Sequence, residues 1–474
     1  MKLNKIRIRM YRQGLGDCFL LTLSYGANKK YHILIDCGVI LGTANPEKKM
    51  GEVAQNIKDE TNGKIDLVVI THEHWDHLSG FKQAQKIFDE INFDEVWMAW
   101  TEDPKNDLAN KLRKTREERK MGLATALDRL KLELISNQFL SPKQFNARKA
   151  YLGAVEEITS FNGGLGANGS SSTSEALDYV KKKAKGNLSY CKPGKDPLQL
   201  KDIEGIRLFV LGPPEDEKLL KKDLANKEVY HEFFKSDFGN SFMSALNFNG
   251  DQNSIDKYRP FESSGIEIEK VKQNNSLSES YYNAENEWRQ INNDWMDFSG
   301  QLALALDSDT NNTSLVLAIE LTESGKFLLF PGDAQVGNWL SWHNYKWTVK
   351  NNKGENEEID IKKIFERTTF YKVGHHGSHN ATLSTNGLEL MTNNELTVMI
   401  PVNKEMAKKK KWNMPFPPLL DKLLGRTSGK ILMADEDLAN SKKPTEISSQ
   451  EWEKFKQSVN QDSGKLFFDY EINC

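Results

Sequence analysis

Alternating apolar and polar positions open the chain. Ile6, Ile8 and Met10, with Arg7 and Arg9 between them, predict a strand over Ile6–Tyr11. Apolar runs at Cys18–Leu23, Tyr31–Asp36 and Ile65–Ile70, separated by Gly, Asn and Lys, predict three more strands. A helix is expected over Gly80–Glu90 and a short strand at Glu95–Trp100. Beyond Trp100 the period becomes helical, from Asp107 through Leu134 and from Pro142 through Thr159. Asn162–Ser174 has the composition of a flexible linker. Its GxGxxG spacing at Gly164, Gly166 and Gly169 follows a helical stretch and not the strand a phosphate-cradling loop needs, so the linker reading stands. Strand character returns at Ile206–Leu211 and stops at Gly212-Pro213-Pro214. A polar region from Glu215 to about Gln301 reads as a second insertion or lid. Strands resume at Leu315–Ile319, Phe327–Phe330, Thr369–Val373, Val398–Pro401 and Ile431–Met433.

Strands at both ends with helical material between them describe one α/β domain interrupted twice. The expected parts are an N-terminal half at 1–100, a helical insertion with its linker at 101–204, a core strand at 205–214, a second insertion at 215–300 and a C-terminal half at 301–474. No fixed-period repeat is evident.

Composition narrows the class. A chain of 474 residues with 38% hydrophobic positions can bury a sizeable core. A formal net charge of -3 removes the overall basicity of a nucleic-acid-coating protein, while leaving room for local basic patches. No apolar run approaches the ~18 residues of a membrane helix. Strand alternation begins almost at the first residue, where a signal peptide would show an apolar core, so the expectation is a cytoplasmic protein without a membrane partner. Cys18, Cys37, Cys191 and Cys474 lack CxxC spacing and are expected as thiols, the first two as small buried hydrophobes.

The informative segment is Thr71–Gly80, "THEHWDHLSG", which sets His72, His74, Asp76 and His77 directly after an apolar strand. In an extended loop alternate residues point the same way, so His72 and His74 can converge on one cation. After the chain turns, Asp76 and His77 can serve a second. Imidazole and carboxylate without a nearby thiolate suit zinc best and tolerate manganese or iron. Two such divalent metal ions would polarise a phosphoryl or carbonyl oxygen and generate hydroxide near neutral pH. "FLLFPGD" at Phe327–Asp333 ends a strand in a turn that can aim Asp333 between the metals. "TFYKVGHHGSH" at Thr369–His379 places three of the nine histidines just past another strand end. One of His375 and His376 should be a ligand, with His375 favoured as the first residue beyond Gly374. The other would hydrogen-bond substrate or protonate a leaving group. Gly377 and Ser378 could bring donors to an anionic oxygen, and Lys372 and Ser378 join Asp76 and His376 as catalytic candidates.

These residues resemble the metallo-β-lactamase fold superfamily. "HEHWDH" matches its HxHxDH, "LIDCG" at Leu34–Gly38 its aspartate-glycine strand end, Asp333 its later acid and "HHGS" its late histidine. More narrowly, Gly14-Leu15-Gly16-Asp17-Cys18 and "NNTSLVL" at Asn311–Leu317 resemble the metallo-β-lactamase domain of bacterial competence proteins that take up DNA. The resemblance spans 1–100, 205–214 and 310–435 and leaves both helical regions outside. It implies an αββα sandwich, here with two largely helical insertions, and in this branch phosphodiester hydrolysis. It also implies His72 and His74 at the first metal, Asp76, His77 and His375 at the second, Asp333 between them, and Asp36 orienting the motif loop. Two departures stand out. Many members give the first metal a third histidine after a strand like "IRLFVL", where this chain has Gly212-Pro213-Pro214 and no histidine until His231. The competence proteins carry a late histidine-proline pair where this chain has Met414-Pro415, and their membrane channel is missing here.

The expected function is a metal-dependent phosphodiesterase or nuclease acting on nucleic acid or a nucleotide. Rival readings are a hydrolase of a lactone, thioester or amide on the same fold, and a regulatory module whose insertions bind a protein partner. Lys408–Lys411, next to Trp412, is either a solvated run or a patch that steers phosphate. Lys181, Lys182, Lys183 and Lys185 read as an exposed helix face. His32, His231 and His343 read as ordinary histidines, and Trp288, Trp295, Trp339, Trp342 and Trp347 as core.

Overall fold

The computed structural model describes residues 3–26, 29–136, 142–163, 172–201, 203–222, 294–438, 443–445 and 447–474, with isolated positions at 276 and 280. The glycines of the GxGxxG spacing, His231, Trp288 and most of the second insertion lie outside these residues, as does the side chain of Trp295.

The chain begins with β1 (Leu3–Tyr11), β2 (Cys18–Tyr25), β3 (Lys29–Cys37), α1 (Pro46–Thr61), β4 (Lys64–Ile70), α2 (Trp75–Gln83), α3 (Gln85–Asp89) and β5 (Asn92–Ala99). The expected strands fall where the apolar runs lie. The expected single helix is instead two, beginning at Trp75 and broken at Ala84, whose ψ of 26° leaves the α region. The long helices α4 (Asp107–Ser136) and α5 (Pro142–Thr159) follow, then α6 (Ser172–Lys183) and β6 (Leu188–Cys191). Next come β7 (Ile206–Gly212), α7 (Glu217–Leu220), α8 (Asp294–Asn311), β8 (Val316–Leu321), β9 (Lys326–Phe330) and α9 (Val336–Ser341). A hairpin of β10 (Lys346–Lys350) and β11 (Asn356–Asp360) precedes α10 (Ile361–Glu366), β12 (Thr368–Lys372), β13 (Thr397–Ile400) and α11 (Lys404–Lys409). The chain ends with α12 (Pro417–Thr427), β14 (Ile431–Met433), α13 (Ser449–Gln457), β15 (Val459–Gln461) and β16 (Phe467–Asn473).

An eight-stranded sheet has the order β15-β16-β1-β2-β3-β4-β5-β6, and a six-stranded sheet the order β14-β13-β12-β9-β8-β7. Strand alternation explains the layers. In β8, Leu317 and Ile319 face the core between the sheets, with Ile8, Phe19, Ile33 and Val69 from the other sheet. Val316 and Ala318 face the opposite way, into a core with Trp339, Trp342, Trp347, Ile364 and Phe365. On the far side of the larger sheet, Leu34, Val68 and Ile70 pack against Met50 and Ile57 of α1, Leu78 and Phe81 of α2 and Leu177 of α6. The result is helix, sheet, sheet, helix, the αββα sandwich. Above it, α4, α5 and α8 join through their own small core of Leu123, Leu127, Val155, Leu302 and Leu306.

β3, β4 and β5 run parallel, as do β9, β12 and β13. Parallel strands collect their carboxyl ends at one edge, where loops are free to carry chemistry. All four cysteines are free thiols, and Cys18 and Cys37 are fully buried on neighbouring strands. Among the described residues no helix is long and apolar enough to cross a membrane.

Candidate metal centre

The motif loop leaves β4 at Thr71 and is fixed from below by Asp36, at the end of β3. Asp36 adopts a left-handed φ of 54°. Its Oδ1 accepts the Thr71 backbone N–H at 2.8 Å, and its Oδ2 accepts the Thr71 hydroxyl at 2.6 Å and faces His77 Nδ1 at 2.7 Å. Two glycines let the loop sit this close: a Cβ on Gly38 would lie 2.5 Å from the Asp76 carbonyl carbon, and one on Gly16 2.8 Å from the Asp76 carbonyl oxygen. α2 begins at Trp75, so Asp76 occupies its first turn, where a carboxylate is favoured by the helix dipole.

Hydrogen-bond partners decide which ring nitrogen each histidine offers. His72 Nδ1 is beside the Thr71 hydroxyl at 3.0 Å, which leaves Nε2 facing His74 Nδ1, also at 3.0 Å. His77 Nδ1 is held by Asp36, so its Nε2 faces Asp333 Oδ2 at 3.1 Å. His376 Nδ1 donates to the Pro401 carbonyl at 2.7 Å, leaving Nε2 beside Asp76 Oδ2 at 2.9 Å. A ligating histidine has this arrangement, one nitrogen tied to an acceptor and the other turned to the cation.

Asp333 follows β9 in the Pro331-Gly332 turn, with Gly332 at a φ of 57°. Its backbone N–H donates to the Ser314 hydroxyl, and its Oδ1 accepts the His375 backbone N–H at 2.9 Å and Lys372 Nζ at 3.1 Å. Lys372 also donates to the Gly332 carbonyl at 2.8 Å and pairs with buried Asp17. Among the described residues, three groups of buried donors therefore lie close enough to share a cation: His72, His77 and Asp333; Asp76, Asp333 and His376; and Asp17, Asp36 and His77. A donor set of imidazoles and carboxylates fits a divalent cation such as zinc. The buried Asp76 Oδ1 and Asp17 Oδ1, without a hydrogen-bond partner among the described residues, fit the same conclusion.

His375, the residue expected to precede His376 as a ligand, lies outside these groups, as His74 does, while His376 belongs to one of them. It and His376 both have left-handed backbone, at φ 43° and 53°, conformations that cost about 1–3 kcal/mol each and persist only where surroundings enforce them. The turn sends the His376 ring inward to Asp76. His375 Nδ1 lies 3.2 Å from Ser378 Oγ, whose proton goes to Asn380, and its Nε2 is outside the three groups. Ser378 thus supports His375, and Lys372 acts on Asp333 and Asp17.

Electrostatics are dominated by burial and by these pairings. Burial would raise the Asp333 carboxyl, but Lys372 and His77 hold it well below the usual carboxylate range. Burial likewise opposes protonation of His77, yet Asp333, Asp76, Asp17 and Asp36 push its pKa well up. His74 is lowered to about 3 and His375 to about 4 by burial. Such neutral imidazoles are ready to donate a lone pair.

Three features were not legible in the motifs. Glu73, between the two leading histidines, is buried against Lys120 Nζ and Arg116 Nη1 of α4, each at 2.8 Å, and Ser174 Oγ of α6 at 3.0 Å. Phe161, just after α5, covers the centre: its ring centroid is 5.6 Å from those of His74 and His375, and it stacks on Trp412 at 4.9 Å. Lys410 lies over Trp412 and donates to the Ser160 hydroxyl at 3.3 Å. Asp307 of α8 approaches His74 Nε2 at 3.8 Å. Charge inside the motif and an aromatic flanking the lysine run were the available signals for the first two; Asp307 had none.

Residues 11–112 match the metallo-beta-lactamase superfamily, a span that carries Asp17, Asp36 and His72 through His77. No curated protein matches the chain. The four-layer sandwich with the superfamily match over its first sheet is a metallo-β-lactamase fold carrying helical insertions, and its histidine and aspartate groups could hold metal.

Proposed function

We propose that this chain is a dinuclear metal-dependent hydrolase that cleaves a phosphodiester in nucleic acid or a nucleotide. The observation that carries the reading is the convergence of His72 Nε2, His74 Nδ1, His77 Nε2, His376 Nε2, Asp76 and Asp333 at one buried strand edge. His72 and His74 would hold one cation, Asp76, His77 and His376 the other, with Asp333 between them. Zinc suits the donors best, and manganese or iron would also fit. When bound, the cations supply Lewis acidity and an activated water.

The chain's own residues do the rest. Lys372 and the His375 backbone N–H fix Asp333 and offset its charge. His375, supported by Ser378 and beside the Phe161 ring, keeps an Nε2 without a hydrogen-bond partner among the described residues, which can hydrogen-bond a substrate oxygen or give a proton to the leaving group. Asp76, held against burial below the usual carboxylate range by His77 and His376, keeps its Oδ1 without a hydrogen-bond partner among the described residues, available to a cation or a substrate donor. Trp412, stacked on Phe161, and Lys410 over it offer a flat ring and a cation to a substrate with flat rings and phosphates. The insertion at 101–204 serves as a lid, with α4 and α6 tied to the motif loop through Glu73.

The test is hydrolysis of bis(p-nitrophenyl) phosphate and of oligonucleotides across a salt series. Turnover that falls steeply with salt on oligonucleotides supports a polyanionic substrate. Turnover confined to lactone, thioester or amide substrates, indifferent to salt, would contradict the proposal.

A further inference from the structure

A histidine that binds a metal through one nitrogen needs an acceptor for the N–H on the other, which fixes the ring and makes the ligating nitrogen more basic. In this centre three of the four histidines have that acceptor on elements of the sandwich: Thr71 for His72, Asp36 for His77 and the Pro401 carbonyl for His376. His74 does not. Its Nδ1 is turned to His72 Nε2, so its Nε2 is the outward atom, and this fully buried nitrogen has no hydrogen-bond partner among the described residues.

Facing it at 3.8 Å is Asp307 Oδ1, itself buried and without a hydrogen-bond partner among the described residues. The carboxylate is held from its other side, where Oδ2 accepts Asn311 Nδ2 at 3.2 Å. Its helix is anchored to the metal centre's own framework: Ser308 Oγ donates to Gln335 Oε1 at 2.7 Å, two residues after Asp333, and the Gln335 backbone N–H donates to Asn312 Oδ1 at 3.2 Å. Leu302 and Leu306 fix the same helix against α4 and α5. Two complementary buried atoms, 3.8 Å apart and each on a locked element, are costly to leave without a partner.

We propose that Asp307 is the positioning residue of the first metal site: it takes the His74 Nε2–H and thereby aims Nδ1 at the cation shared with His72. The inference rests on the metal-centre reading above. It also offers a reason why a site lacking the third histidine could hold its ion, since a carboxylate behind the imidazole strengthens the donor that is present. The helix bundle thus contributes directly to the centre it covers.

The test compares wild type, Asp307→Ala, Asp307→Asn and Asp309→Ala by metal content after dialysis and by zinc competition against a chromophoric chelator, with cobalt absorption spectra of each. Asp307→Ala should weaken one of two cations about 10–100-fold and change the cobalt spectrum of that site, leaving the second cation in place. Asp307→Asn, whose amide oxygen can still accept the N–H, should lose less. Asp309→Ala, on the same helix as Asp307, breaks an ion pair with Arg119 of α4 and should bind as wild type. Two cations held with wild-type affinity and spectrum in Asp307→Ala would overturn the inference alone. A wild type that holds no metal would overturn the metal-centre reading itself.

Discussion

Glu73 ties the metal loop to the helical insertion, and its replacement is the most quantitative test of the structure. The carboxylate is 5% exposed and faces two buried cations, Arg116 and Lys120, that come from α4. Burial alone would raise its pKa, but Lys120 and Arg116 hold it at about 2 against an ordinary 4.5. At about 1.4 kcal/mol per pH unit, that gap corresponds to about 3 kcal/mol. Breaking a buried pair from one side costs about 3–5 kcal/mol, because a charge stays behind uncompensated, and the two routes agree. Glu73→Gln should therefore lower stability by about 3 kcal/mol at pH 7 in urea unfolding followed by tryptophan fluorescence. A depressed carboxyl stabilises the fold above its unfolded pKa and loses that contribution as the pH falls toward its folded one. The difference between wild type and variant should accordingly shrink from pH 4.5 to about 2. A cost below about 1 kcal/mol, or a difference that does not shrink in acid, would refute the argument.

Three further outcomes are expected. Phe161→Ala uncovers the His74 and His375 rings and should raise kcat/KM for a small chromogenic diester; an unchanged or lower value would show that the ring does not gate the centre. His376→Ala should lose the second cation, whereas His375→Ala should keep both and lose turnover, which metal content and steady-state rates separate. Burial lowers His32 to about 4 from an ordinary 6.5, so the unfolded chain binds the extra proton first and stability should fall as the pH drops through that window. The loss is roughly 3 kcal/mol and should be missing from His32→Asn, as urea midpoints at pH 7 and pH 4 would reveal.

Much of the sandwich could be read from local pattern. The strand-sized apolar runs and the period of α4 and α5 are properties of neighbouring residues, and so is the crowding of His72, His74, Asp76 and His77 behind β4. What the pattern lacked was tertiary. β16 pairs with β1, joining the two ends of the chain, and its "FFDYEIN" carries no turn signal that would announce it. The helix expected from Gly80 starts at Trp75, because the motif's polar residues face the centre while Leu78 and Phe81 enter the core. Which of the His375 and His376 rings faces Asp76 turns on two left-handed residues that no propensity favours. Glu73 carries no partner in its own neighbourhood of the sequence; α4 brings Arg116 and Lys120 to it.

The most direct measurement is metal content by elemental analysis paired with hydrolysis of bis(p-nitrophenyl) phosphate, for wild type and for Asp76→Ala combined with His77→Ala. The account predicts two divalent cations per wild-type chain, with metal content reduced and turnover abolished in the variant. A wild type that binds no cation, or a variant that hydrolyses the diester as fast as wild type, would contradict it.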